Sequence, residues 1–122
     1  MARKNALRLR YRKLFASAGL VTLQSDPVPD DQIWCIQRAA WEIDKATSGG
    51  NTRCRRYIDG HGYKHYLSEE DAPTANALYW DADPVWLTPG EMMSLDIDEA
   101  QADTVALMRL TGYFISASEG VV

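Results

Sequence analysis

The chain has 122 residues, 46% of them hydrophobic and 25% charged, with a net charge of -4. That length suits one domain with its own core, and the composition excludes wholesale disorder. Two cysteines exclude a disulfide framework, and no stretch reaches the roughly 18 to 20 apolar residues that cross a bilayer as a helix, so no membrane partner is expected.

The charge is unevenly placed. Residues 1–13 hold six bases, Arg3, Lys4, Arg8, Arg10, Arg12 and Lys13, and no acid, whereas the rest holds seven bases against all 17 acids. A basic segment joined to an acidic body suits attachment. The Arg-rich, acid-free start with Ser17 also has the composition of a mitochondrial presequence, although nothing else points to an organelle.

Residues 1–25 read as a basic N-terminal docking arm. Leu7, Tyr11, Leu14, Phe15 and Ala18 fall at helical spacing, yet residues 7–12 alternate with period two, so the arm is read as extended or helical. Either form leaves an apolar face to be covered. Leu7, Leu9, Tyr11, Leu14 and Phe15 are therefore expected to be buried against a partner, with Arg3, Lys4, Arg8, Arg10, Arg12 and Lys13 supplying attraction. Residues 26–31, Asp-Pro-Val-Pro-Asp-Asp, break regular structure and read as a linker.

From residue 32 onward the pattern is that of strands, and residues 32–122 read as the body. Ile33, Cys35, Ala39, Trp41 and Ile43 share one parity, while Trp34 and Ile36 break it, which predicts a strand covered on both faces at its start. Turn residues follow at 48–51 and 59–62, with extended stretches at 52–58 and 63–67. Residues 68–73 form a polar connection with room for a helical turn, 76–80 are extended, and 81–84 break the pattern.

Residues 85–87 and 92–97 flank Thr88-Pro89-Gly90-Glu91, where proline sets φ and glycine tolerates positive φ, so this reads as a structural corner. After a loop at 99–103, residues 104–115 make the longest late strand, interrupted at Gly112. Short strands at roughly ten-residue spacing predict an all-β fold, an antiparallel β-sandwich or jelly roll.

Candidate chemistry is sparse. Cys35, Cys54, His61 and His65 lack a C-x-x-C knuckle, and the cysteines read as buried thiols rather than a bridge. Asp81 with Asp83, and Asp96 with Asp98, Glu99 and Asp103, lack the glycine-bearing loop of a calcium site. With neither a Gly-x-Ser-x-Gly elbow nor a phosphate-binding loop, no enzyme, metal or cofactor is expected. Trp41 fits the core by parity, whereas Trp80 and Trp86, flanking an acidic loop, are expected to be exposed and to meet another subunit. Arg53 and Arg55 share a strand face that Arg56 leaves. That face reads as solvated, with pairing to acids of an adjacent copy as the alternative.

The residues Leu87-Thr88-Pro89-Gly90-Glu91, followed by Leu110-Thr111-Gly112-Tyr113-Phe114-Ile115, resemble the late corner and closing strand of small jelly-roll and β-sandwich modules. Such modules occur among accessory virion proteins of tailed bacteriophages, of the capsid decoration, neck or collar, and fibre-head (tail) types. The resemblance implies a structural, multimeric, non-enzymatic virion protein, assembled in the host cytoplasm. Its partners would be other virion proteins and copies of itself, with a trimer favoured, and its basic segment would act as a docking arm. A complete fibre is not implied, because the chain has no repetitive stalk. Two alternatives are a receptor- or carbohydrate-binding head using exposed tryptophans, and nucleic-acid binding through the arm; a small hydrolase ranks last.

Overall fold

The alternation across residues 7–12 resolves as a strand. In the computed structural model, which describes residues 3–46 and 53–120, β1 spans Asn5–Phe15 and β2 Gly19–Gln24. There follow β3 (Gln32–Ile43), β4 (Arg53–Gly60), β5 (Tyr63–Asp71), β6 (Tyr79–Asp81), β7 (Val85–Leu87), β8 (Met92–Ala100) and β9 (Thr104–Ser116), and then one helical turn, α1 (Ala117–Gly120). The larger sheet runs β1-β9-β3-β6, with β7 also on β3, and the smaller runs β2-β8-β4-β5. Every pairing is antiparallel. The pairs are nested: β4 with β5 innermost, then β3 with β6 and β7, then β2 with β8, and β1 with β9 outermost.

The fold is thus a β-sandwich, as the strand pattern predicts. Its interior is filled by inward residues of β8 (Met93, Leu95, Ile97) and of β9 (Ala106, Met108, Leu110), all without solvent exposure. Truncating one of these leucines to alanine costs about 2 to 5 kcal/mol by the usual cavity relation.

The N-terminal segment corrects one expectation. Instead of standing apart as an arm, residues 5–15 are paired with β9 in unbroken register from Asn5 opposite Phe114 to Phe15 opposite Thr104. Leu7 and Phe15 are buried in the core, and Leu9 and Tyr11 pack against it. The apolar face expected to need a partner is covered by the molecule's own smaller sheet. Residues 26–31 are likewise tied in: Val28 is buried, its N–H donates to Glu91 O (3.0 Å) and its carbonyl accepts from Gly90 N (2.9 Å). Two prolines prevent a strand there; besides the bonds of Val28 to the corner at 88–91, Asp31 O accepts from Ala117 N (2.8 Å) and Asp26 N donates to the Tyr11 hydroxyl (3.3 Å).

That corner is structural, as expected. Glu91 N donates to Thr88 O (3.0 Å), and Gly90 has φ +86°, the pattern of a type II turn with proline at its second position. Glu91 Oε1 accepts from both Thr88 N (2.7 Å) and Thr88 Oγ1 (2.8 Å), closing the loop from outside.

A β-bulge explains the double covering of β3. Ile36 lies opposite Gly112 and Arg38 opposite Thr111, leaving Gln37 unpaired. The extra residue exchanges the faces, so Trp34 and Ile36 point inward with Ala39, Trp41 and Ile43, while Ile33 and Cys35 turn outward. A β-carbon at 112 would collide with the Cys35 carbonyl oxygen, which is why glycine stands there. The glycine does not interrupt β9; it lets the neighbouring strand bulge.

Other boundaries moved. β5 runs on to Asp71, so most of the polar connection read at 68–73 is strand and holds no helical turn, and β6 begins at Tyr79 rather than at residue 76. The turn expected at 48–51 lies outside the described residues. Cys35 and Cys54 are buried, free thiols on different sheets. Burial, with help from the carboxylates of Glu70 and Asp98, pushes the Cys54 thiol up to about 12.

Candidate interaction face

In an antiparallel sheet, residues directly opposite one another project from the same face, so the registers assign each outward side chain of the larger sheet. β1 contributes Arg8, Arg10, Arg12 and Leu14; β9 contributes Leu107, Arg109, Thr111 and Tyr113. After its bulge β3 adds Arg38, Ala40 and Glu42, and the short strands add Trp80 opposite Ala40 and Trp86 opposite Cys35. Five arginines and a single carboxylate, Glu42, therefore occupy this face among residues in paired register.

The rows are ordered. Arg10 lies directly opposite Arg109, which lies opposite Ala40, which lies opposite Trp80. In the next row Arg8 faces Thr111 and Arg38. Arg8, Leu9, Arg10, Arg109 and Thr111 line a shallow depression of about 370 Å³. Arg38 stacks over the Trp80 ring, 5.1 Å from its centroid. No ion pair is recorded for Arg8, Arg10, Arg12 or Arg109 among the described residues.

The same face has a small apolar cap at one end. Trp86 meets Tyr113 edge to face, with centroids 5.8 Å apart, and Lys4 lies 4.7 Å above the Tyr113 ring. Cys35, directly opposite both Trp86 and Tyr113, is buried on this outward side, as are Ile33 and Ile115, which lie opposite each other two residues along.

The residues expected to bind a partner thus divide. Arg3, Lys4, Arg8, Arg10, Arg12, Lys13 and Leu14 are exposed, as are Trp80 (59%) and Trp86 (49%). Leu7 and Phe15 are buried, and Leu9 and Tyr11 are half-buried, so those four serve the core rather than an outside surface. Arg38 and Arg109 belong to the basic face and were missed by sequence reasoning. Their outward parity is visible within each strand, but the register that places them beside β1 is not.

The outer face of the smaller sheet is charge-balanced by comparison. Arg55 Nε reaches Glu69 Oε1 at 3.0 Å, and Arg53 contacts Glu69 (3.5 Å) and Asp71 (3.6 Å), so these arginines pair within the chain. Asp96 Oδ1 accepts from Thr22 Oγ1 (2.7 Å) and from the Tyr57 hydroxyl (2.8 Å), and Lys64 lies 3.9 Å from its other oxygen. Burial, and then the hydrogen bond to Asp96, raise the Tyr57 phenol well above its ordinary value. Arg56 turns inward as its parity requires. It is buried and pairs with Asp81 of β6, with Nη1 3.3 Å from Met93 Sδ. Among the described residues no cluster of three or more His, Cys, Asp or Glu side chains could hold a metal ion.

No protein-family model matches the chain, and no curated protein matches it. Solved structures do. A chain of the acidic stable capsid structure of Helicobacter pylori bacteriophage KHP30 superposes with a TM-score of 0.60 at 13% identity, covering 93% of each chain. A CBM4 chain matches with a TM-score of 0.38 at 12% identity over 89% of this chain and 83% of that one. A chain of infectious bursal disease virus, Gx strain, matches with a TM-score of 0.40 at 11% identity over 93% of this chain and 40% of that one. The phage capsid chain is the one among these whose similarity extends to the whole fold, and at that identity it is the β-sandwich that the two proteins share.

Proposed function

We propose that the chain is a non-enzymatic structural protein of a bacteriophage virion, a jelly-roll module that assembles with copies of itself and with other virion proteins. The observation that carries this reading is the end-to-end likeness to a chain of a phage capsid structure. The nested strand pairing supports it, since wrapping a chain into successive antiparallel pairs is the jelly-roll plan used in many viral shells. Accessory status, in a decoration, neck or fibre-head position, belongs to the same proposal.

Attachment through the N-terminal segment takes a different form from a loose arm. β1 is an edge strand of the larger sheet, paired on one side to β9, and its other side presents backbone groups that a neighbour's strand can extend. Basic side chains on that strand discourage indiscriminate pairing while attracting an acidic partner.

The test is the native mass of the full-length chain across concentration and salt. A closed oligomer, with a trimer expected, supports the proposal. A monomer under every condition overturns self-assembly.

A further inference from the structure

We infer that the outward face of the larger sheet binds the phosphate backbone of single-stranded nucleic acid, with Arg8, Arg10, Arg12, Arg38 and Arg109 as the phosphate contacts and Trp80 as a base-stacking platform. This goes beyond the virion proposal and does not depend on it.

The arrangement carries an electrostatic cost. Like charges directly opposite in a sheet are destabilising, and Arg10 sits opposite Arg109 with further arginines two residues away on β1. The one acid on the face, Glu42, lies beyond Leu107 from Arg12. Elsewhere the chain neutralises its strand arginines: Arg53 and Arg55 pair with Glu69 and Asp71, and buried Arg56 pairs with Asp81. A chain of net charge -4 that leaves one face uncompensated has built a surface complementary to an anion.

Chemistry and spacing narrow the anion. The bases of the rows are all arginine, whose planar fork suits bidentate phosphate contact. Alternate residues on one strand stand about 6.6 to 6.8 Å apart, and neighbouring strands about 4.8 Å, so the side chains form a grid of closely repeated positive charge. A polymer with one charge per unit fits a grid better than a small ion does. The row from Arg10 through Arg109 and Ala40 to Trp80 then leads from phosphate contacts to an exposed indole already stacked by Arg38. Charged track and aromatic platform are the two components of single-strand binding surfaces.

An acidic protein is the competing occupant, and the layout disfavours it. Protein interfaces gather arginine together with aromatic and apolar groups at one shared, desolvated centre and deplete the other charged residues there. Here arginines hold the centre while Trp80 and Trp86 stand to the side, on the short strands beyond β3.

The experiment is fluorescence anisotropy of the full chain with a labelled oligothymidylate of about thirty nucleotides, as a function of salt, with polyglutamate as competitor. The inference expects affinity to fall steeply with salt, and the slope of log K against log salt to flatten by about one in R109A or R38A. It expects W80A to weaken binding about tenfold. K64A, on the opposite sheet, is expected to bind like the parent. R38A and R109A leave β1 intact, so an unchanged native mass alongside weakened binding and a flatter salt slope separates this inference from the assembly proposal. Absence of binding at low salt, equal losses in K64A, or competition by polyglutamate at equal charge concentration would each overturn it, the last in favour of an acidic protein partner.

Discussion

The guanidinium of Arg56 and the carboxylate of Asp81 join the two sheets through the interior, the first from β4 in the smaller sheet and the second from β6 in the larger. Arg56 is 3% exposed, so without Asp81 its charge would stand unpaired among Met93 and the surrounding core. Asp81→Ala should destabilise the chain by about 3 kcal/mol, near the lower end for broken buried pairs because the Asp81 side chain is 31% exposed. The Arg56→Met, Asp81→Ala double variant should recover much of that loss. Urea unfolding of the three proteins checks both statements, and a double variant less stable than Asp81→Ala would refute them.

Gly112 should be intolerant of any side chain. Its β-carbon position is occupied by the Cys35 carbonyl, a backbone group that cannot rotate away. Gly112→Ala is expected to lose about 2 to 3 kcal/mol or to shift the register of β3 on β9. Denaturation midpoints give the first, and amide exchange at residues 35–38 reports the second.

The corner at Thr88–Glu91 should show a smaller effect. Gly90→Ala places a β-carbon at φ +86° with open space around it, apart from His61 at 3.8 Å, so the loss is conformational strain of about 1 kcal/mol. Gly90→Asn, which tolerates this region better, should lose less. Thermal melts of the pair provide the comparison.

Alkaline pH should weaken the fold through two buried acids. The Cys54 thiol is raised from 9.0 to about 12, and the Tyr57 phenol is raised from 10.0. In each case the unfolded chain loses its proton first, so stability is full below pH 9 and falls as pH rises from there toward 12. Cys54→Val removes one of the two titrations and should flatten the lower part of this decline. Stability measured at intervals from pH 7 to 11 tests the sign. The same burial predicts that Cys54 resists thiol reagents in the native state at pH 8.

Arg109 offers a trade between stability and binding. Arg109→Thr removes the charge opposed to Arg10 and places a β-branched residue on a strand, so the melting temperature should rise slightly, by a few tenths of a kcal/mol in stability. A melting temperature lowered by more than a degree or two would show that the arginine instead helps to hold β9.

Much of the fold class was legible, and for a physical reason. Period-two alternation and turn residues such as Pro89-Gly90 act locally, so the all-β sandwich, the corner, the inward Trp41 and the exposed Trp80 could be read from neighbours in sequence. What could not be read was long-range register. The apolar side of residues 7–15 looked uncovered because the pairing with β9 that turns it toward the smaller sheet joins residues almost the whole chain apart. Gln37 looks like any polar residue, yet its bulge decides which of Ile33, Trp34, Cys35 and Ile36 point inward. For the same reason Arg38 and Arg109 were not grouped with Arg8, Arg10 and Arg12.

The outermost pair, β1 with β9, also constrains the order of events during synthesis. β1 emerges from the ribosome long before the strand it pairs with, so Leu7, Leu9, Tyr11 and Phe15 must wait in water for Ala106, Met108 and Leu110 to arrive. A waiting strand of alternating apolar residues is a template for pairing with another nascent chain. Arg8, Arg10 and Arg12 set between them act as gatekeepers through mutual repulsion. Closure of the sandwich then depends on the most sequence-distant contacts it contains, which makes slow, late docking of β1 the expected final step of folding.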